Sequence, residues 1–354
     1  MTHKKKKEEN LDPMVVYQKK EAEILYWLKN HPGEQWTDKE FPANNKQFFK
    51  DQTTVPKWGY ELKHIEWKRP QELHKDPKFM VEDEKKYIDC DAKQGLIAES
   101  WFIGALTMAA GKSEEIQKLI VEKEYFNQGF VSFQFFKNGA WVQVIVDTLL
   151  PYEKETNSRT SVYCSCANPQ EFWISLMEKA YVKLHGNYET VCEGNVLEGL
   201  VDITGGVSEG FDLTHPDIKK AIETGALWNM LLGNFNQKFY LGCMNYDAKK
   251  SAKTADQGPQ GILENHFYNI LDLREFPKEN LKLVRIRNPW GSDGGWNGAF
   301  CEDSDDWDKH RTLKEELKNV FKTKKSDGAW WMSFQDWCQQ FNKVYVGKVF
   351  PENW

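Results

Sequence analysis

The sequence has little of what marks several large classes of protein. No apolar run approaches the length of a membrane span, and the N-terminus carries no signal-peptide core. No CxxC pair occurs, and the seven cysteines (Cys90, Cys164, Cys166, Cys192, Cys243, Cys301, Cys338) are odd in number and scattered. That spacing gives neither a zinc site nor a dithiol redox pair. Cys164-Ser165-Cys166 is too close for a relaxed disulfide, so the cysteines read as structural thiols of a soluble, reduced, intracellular protein. A net charge of −6 supplies no field that would draw nucleic acid. The lysine run at 4–7 is followed at once by Glu8 and Glu9 and reads as a solvated tail. Internal repeats are absent.

Material for a core is ample: 40% of the 354 residues are hydrophobic and 15 are tryptophan, enough for two domains or one large one. Asp12-Pro13 reads as a cap and first-turn proline for an amphipathic helix that ends at Asn30-His31-Pro32-Gly33. Residues 34–60 are turn-rich with short apolar clusters such as Phe48-Phe49, and the charged stretch 82–86 reads as a loop. "KQGLIAESWFIGALTMAAG" at 93–111 passes from a polar turn into an apolar helix, with Ser100 at the junction and Phe102, Ala105, Leu106 and Ala109 on one face. "FVSFQFFKNGAWVQVIVD" is a β-hairpin around Asn138-Gly139, the type I′ turn signal. "ANPQEFWISLMEKAYVKLHG" predicts a helix capped by Asn168, Pro169 and Glu171 and closed by Gly186. Thr204-Gly205-Gly206 reads as a joint, followed by a short helix from Pro216 to Thr224. Strand-like runs follow at 226–232, 267–273, 281–287 and 344–350. The expected fold class is α+β: a helix-rich first lobe and a strand-rich second lobe with a cleft between them. The boundaries are a tail and amphipathic helix at 1–33, a first lobe at 34–204 and a second at 205–354.

His266 stands just before the strand "FYNILDL", and Asn288 closes the strand "LKLVRIR". Alone, the histidine is ordinarily structural and an Asn before Pro ordinarily a turn residue. Together with a nucleophile at a helix start they fit the logic of nucleophile, base and orienter. Two readings of Ser100 stand side by side: a helix N-cap satisfying an orphan N–H, and a nucleophile.

"QGLIAESWFIGAL", "NHFYNILDL" and "RIRNPWG" resemble the three active-site blocks of the calpains, calcium-dependent intracellular cysteine peptidases with a papain-like two-lobe core. The likeness continues through "FPANNKQFF", "IEWKRPQEL", "VIVDTLLP", "EFWISLMEKAY", "DITGGV" and "DGAWWMSFQDW", over roughly residues 36–346, and leaves nothing at the C-terminus for the further domains of larger calpains. The resemblance implies Gln94 as oxyanion-hole donor, His266 as base, Asn288 as its orienter and Trp290 as the shield over that pair. It also implies that Ser100 stands where the family has the nucleophilic cysteine, with Ala98-Glu99 where the family has Gly-Asp. A thiol with a pKa near 8.5 can be ionised beside an imidazolium, whereas an alcohol cannot, and Asn288 offers no charge to support a serine mechanism.

The family's two calcium sites map onto Asp91 and Glu171 in the first lobe and onto Glu302 and Asp327 in the second. Gly295 and Ala329 replace two further ligands, which thins the second site severely, because affinity follows ligand count and charge. The expectation is therefore a degenerate calpain core, proteolytically inactive and acting as a scaffold. It would bind a protein or peptide in the inter-lobe cleft, or serve a large cytoskeletal assembly. Calcium is expected only at the first-lobe site and no organic cofactor at all, in the cytoplasm or on the cytoskeleton. The alternative is an active calcium-dependent endopeptidase using Ser100 with His266 and Asn288.

Overall fold

The computed structural model describes residues 13–51, 65–81, 92–93, 95, 100–110, 113–154, 161–192, 194–249, 257–289, 295–317 and 328–350. In the first half run α1 (Pro13–Asn30), β1 (Ile65–Lys68), α2 (Pro70–Leu73), β2 (Ala92–Lys93), α3 (Ser100–Ala110), α4 (Ser113–Leu119), β3 (Ile120–Glu122), β4 (Phe130–Lys137), β5 (Ala140–Asp147), β6 (Leu150–Glu153), β7 (Ser165–Cys166), α5 (Trp173–His185), α6 (Tyr188–Cys192) and α7 (Val196–Thr204). The second half holds β8 (Val207–Asp212), α8 (Pro216–Glu223), α9 (Ala226–Asn236), β9 (Tyr240–Met244), β10 (Phe267–Phe276), β11 (Leu281–Arg287), α10 (Asp306–Lys309), α11 (Arg311–Glu316), β12 (Ala329–Ser333), α12 (Phe334–Gln340) and β13 (Lys343–Lys348). The first half sets helices against small sheets, β3-β4-β5 being the largest; the second is built on one six-stranded sheet in the order β12-β11-β10-β9-β13-β8. This is the α+β class expected.

Local chemistry explains most of the elements. The β4–β5 hairpin turns at Asn138 and Gly139, both with positive φ (53° and 82°), as a type I′ turn requires. The helix around Trp173 starts later than the sequence suggests. Asn168 instead closes a turn, its Oδ1 accepting the Gln170 N–H at 3.1 Å, and the helix begins at Trp173 without a side-chain cap. Residues 226–232 are not a strand but the start of α9. Leu227, Trp228 and Leu231 are its buried side chains there, a helical i, i+1, i+4 stripe that the apolar run concealed. The strands β8, β9 and β12 had no clear sequence signal. Glycine in β8 and β9 and the brevity of β12 hide their alternation.

A network of buried charge ties the first half together. The Lys179 ammonium on α5, fully buried, donates to Asp147 Oδ1 (2.5 Å), to Asp147 O (3.1 Å) and to Leu149 O (2.6 Å). Asp147 Oδ2 accepts the Asp38 N–H at 2.8 Å, and Lys183 reaches Asp38 Oδ2 (2.5 Å) and Ile145 O (2.8 Å). Burial lowers the Lys179 pKa, and the adjacent Asp147 opposes that shift.

The two halves meet at α3. Every residue from Phe102 to Ala110 is buried, so the helix is enclosed on all sides rather than amphipathic. Gly104 allows the closest approach: a Cβ there would sit 2.6 Å from the Phe267 ring, which also lies against Gly242. The larger first core accordingly takes in Tyr240, Met244 and Phe267 from the second half. Thr107 shares its hydroxyl proton between Gly104 O (3.1 Å) and Asn269 Oδ1 of β10 (3.4 Å). Gly104→Ala is expected to lower stability by about 1–3 kcal/mol in urea unfolding through overpacking. Gly233→Ala on α9, where an added Cβ meets nothing within 4 Å, is expected to be neutral or stabilising.

Candidate active site

Three elements converge on the sequence-predicted blocks. α3 begins at Ser100, which is its first helical residue. Glu99 and the Ser100 side chain lie outside the described residues. The helix start is anchored by Trp101, whose Nε1 donates to Val191 O at 2.9 Å and whose indole fills the space left at Gly194 and Gly199. Ser100 stands one turn, about 6 Å, before Gly104, the seat of Phe267. His266 immediately precedes Phe267 in the chain.

His266 and Asn288 are brought together by the pairing of β10 with β11. Asn269 faces Arg287 in the antiparallel register, which puts Asn288 beside Tyr268 and diagonal to His266. The His266 Nε2 and Asn288 Oδ1 are 2.7 Å apart. With the amide oxygen accepting, Nε2 carries the proton and Nδ1 is the basic nitrogen of the neutral ring. Tyr268 meets the imidazole edge-on at 4.8 Å, and its own hydroxyl accepts the Leu263 N–H at 2.8 Å. The Asn288 N–H donates to Gly328 O at 2.9 Å, fixing the end of β11.

Both members of the pair are withdrawn from water: His266 is 2% exposed and Asn288 0%. Burial drives the imidazole pKa down to about 4, against a smaller opposing effect of the Asn288 hydrogen bond. The unfolded chain therefore takes a proton at His266 near pH 6.5 and the folded one only near 4. Stability contributed by the neutral ring is complete above about pH 6.5 and is lost as pH falls through that window, by on the order of 3 kcal/mol. Urea unfolding of the wild type and His266→Gln between pH 4 and 7 is expected to show a shallower pH slope in the variant.

Cys164 and Cys166 are buried around β7, burial pushes the Cys338 thiol up to about 12, and Cys243, fully enclosed, is raised further. At Cys243 and Cys338 burial therefore disfavours the thiolate.

Gln94, Trp290, Asp91 and Asp327 lie outside the described residues. Glu171 accepts the Val81 N–H at Oε1 (2.7 Å), and Glu302 is exposed. Each expected calcium pair thus has one described carboxylate. Among the described residues no group of three or more His, Cys, Asp or Glu is gathered for a metal.

The sequence profile of the calpain family of cysteine proteases matches residues 36–348. The chain belongs to the calpain family. It is 33% identical over 331 residues to the Arabidopsis thaliana calpain-type cysteine protease DEK1, covering 92% of this chain and 14% of that one. It is 32% identical over 333 residues to Drosophila melanogaster Calpain-A (91% and 37%) and 30% identical over 332 residues to human Calpain-9 (90% and 44%). The chain thus spans less than half the length of these calpain relatives. Among the described residues no helix is long and apolar enough to cross a membrane.

The sequence reading missed the residues that pack around the His266–Asn288 pair: Phe267 against Gly104, Tyr268 against the imidazole, and Asn265 before it. Only the spacing His266-Phe267-Tyr268 hinted at them, since alternate strand residues share a face.

Proposed function

We propose that this chain is a calpain core that has lost proteolytic activity, with Ser100 in the nucleophile's place, and that it acts as a protein-binding scaffold. A single observation carries the reading: the one histidine of the active-site blocks is enclosed, neutral and held by an amide. A thiolate would offset the cost of charging that ring. Ser100 cannot, because its alcohol does not ionise there and Asn288 carries no charge. The likeness of the block around Ser100 to the family's nucleophile block supports this reading, as does the start of α3 at Ser100. The partner in this reading is a protein or peptide lodged at the inter-lobe cleft, in the cytoplasm or on a cytoskeletal assembly. A calcium ion held through Glu171 with Asp91 would add structure to the first lobe, and no step depends on it.

The second reading is a working endopeptidase using Ser100, His266 and Asn288. The intact 2.7 Å imidazole–amide contact favours it, since loss of function removes the need to keep the pair. A fluorophosphonate probe with calcium separates the two. No labelling is expected; labelling abolished by Ser100→Ala would establish a nucleophile and end the scaffold reading.

A further inference from the structure

The residue before His266 is built into the fold with unusual completeness. Asn265 is 7% exposed and has a left-handed backbone, φ 51°, a conformation that Asn tolerates better than most residues other than Gly. Its side chain uses both ends of the amide on one residue of the opposite segment. Oδ1 accepts the Asp247 N–H at 2.8 Å, and Nδ2 donates to Asp247 O at 3.0 Å. Its own N–H donates to Asn245 O at 2.7 Å.

This arrangement continues the sheet by other means. β9 lies between β10 and β13, and its backbone ladder to both ends at Met244. Beyond Met244 two asparagine amides take over. Asn265, ahead of β10, holds Asp247, while Asn342, ahead of β13, holds Tyr246 by the same donor–acceptor pair at 2.8 and 2.7 Å. Of the two clamps, only Asn265 adjoins the imidazole. His266 therefore sits between two anchors: the Asn265 clamp on one side and the Phe267 ring seated on Gly104 and Gly242 on the other. The left-handed turn at 265 sets the direction from which the chain enters β10, and hence where the ring stands relative to Asn288.

We propose that Asn265 is the positioning residue of His266: its amide closes the end of β9 and its left-handed backbone aims the imidazole at Asn288. This rests on reading His266 and Asn288 as the imidazole–amide pair of the proposed site. It extends that reading by assigning the pair's geometry to a residue outside the three active-site roles. Asn265 touches no reacting atom and acts through its neighbour.

The test is nuclear magnetic resonance of the full chain labelled with ¹⁵N-histidine, in the wild type, Asn265→Gly and Asn342→Ala. Asn265→Gly keeps the left-handed backbone and removes only the amide; Asn342→Ala removes the equivalent two hydrogen bonds, those to Tyr246, from the same loop, remote in sequence from His266. In the wild type the Nε2–H proton, held on Asn288, is expected as a slowly exchanging resonance. In Asn265→Gly that resonance is expected to be lost to exchange and the His266 titration midpoint to rise by about one pH unit toward the ordinary value as water gains access. Asn342→Ala is expected to change neither. An unmoved His266 in Asn265→Gly overturns the proposal, as does an equal change in both variants, which would make the clamp a matter of general loop stability. Should Asn265→Gly not fold, Asn265→Asp keeps the acceptor and tolerates the backbone; a smaller shift in the same direction is expected, and no shift overturns the idea. Hydrolysis through Ser100 would sink the scaffold reading and leave this result standing; an unmoved ring would do the reverse.

Discussion

Offered unfolded casein in the presence of calcium, the purified chain is expected to leave the substrate intact, and Ser100→Cys is expected to recover little cleavage. The first outcome follows from the mismatch between nucleophile and base. An alcohol needs a general base whose developing positive charge is supported, whereas His266 is enclosed, has its pKa depressed to about 4, and is held by the neutral amide of Asn288. Deficits from losing one member of a catalytic triad run to roughly four to six orders of magnitude, far below detection in a casein assay. The second outcome tests the rest of the machinery. A thiol at position 100 restores acidity, but the resting ion pair must still place a proton on a ring that burial keeps neutral. On the reading that Gly295 and Ala329 stand where the family has acidic calcium ligands, a weakened second calcium site would work in the same direction. Initial rates with a fluorescent casein measure both. Vigorous calcium-dependent cleavage by Ser100→Cys alone would show that only the nucleophile had been lost.

Lys179→Met is expected to destabilise the protein by about 3–5 kcal/mol. Lys179 and Asp147 are both fully buried, and the ammonium also satisfies the carbonyls of Asp147 and Leu149. Removing it strands a carboxylate and two acceptors in the interior, where the desolvation cost is no longer offset. The double variant Lys179→Met/Asp147→Asn is expected to recover part of the loss, because the stranded charge leaves with its partner. Urea unfolding of the single and double variants provides the cycle. A loss below about 1 kcal/mol in the single variant would mean that water reaches the pair.

The parts of the fold legible in the sequence were those governed by local rules. Pro13 opens α1, Asn138-Gly139 forms the hairpin turn, and Pro216 opens α8, each through backbone preferences that need no tertiary partner. Reading failed where packing overrides the local signal. The apolar run at 226–232 looks like a strand until Leu227, Trp228 and Leu231 are seen to share one helix face. The cap expected at Asn168 was real chemistry in another place, closing a turn from a position five residues ahead of the helix start.

The candidate site divides in the same way. Its chemical types were written in the chain: an imidazole at 266, an amide at 288 and a hydroxyl at 100, in blocks whose order alone names the family. What those groups can do was decided by tertiary structure. Only the β10–β11 register brings His266 within 2.7 Å of Asn288, and only the surrounding packing removes the ring from water and lowers its pKa. A sequence records which groups can hold a proton. The dielectric and the neighbours that set how tightly they hold it arise from residues far apart in the chain, so they exist only once the fold has closed.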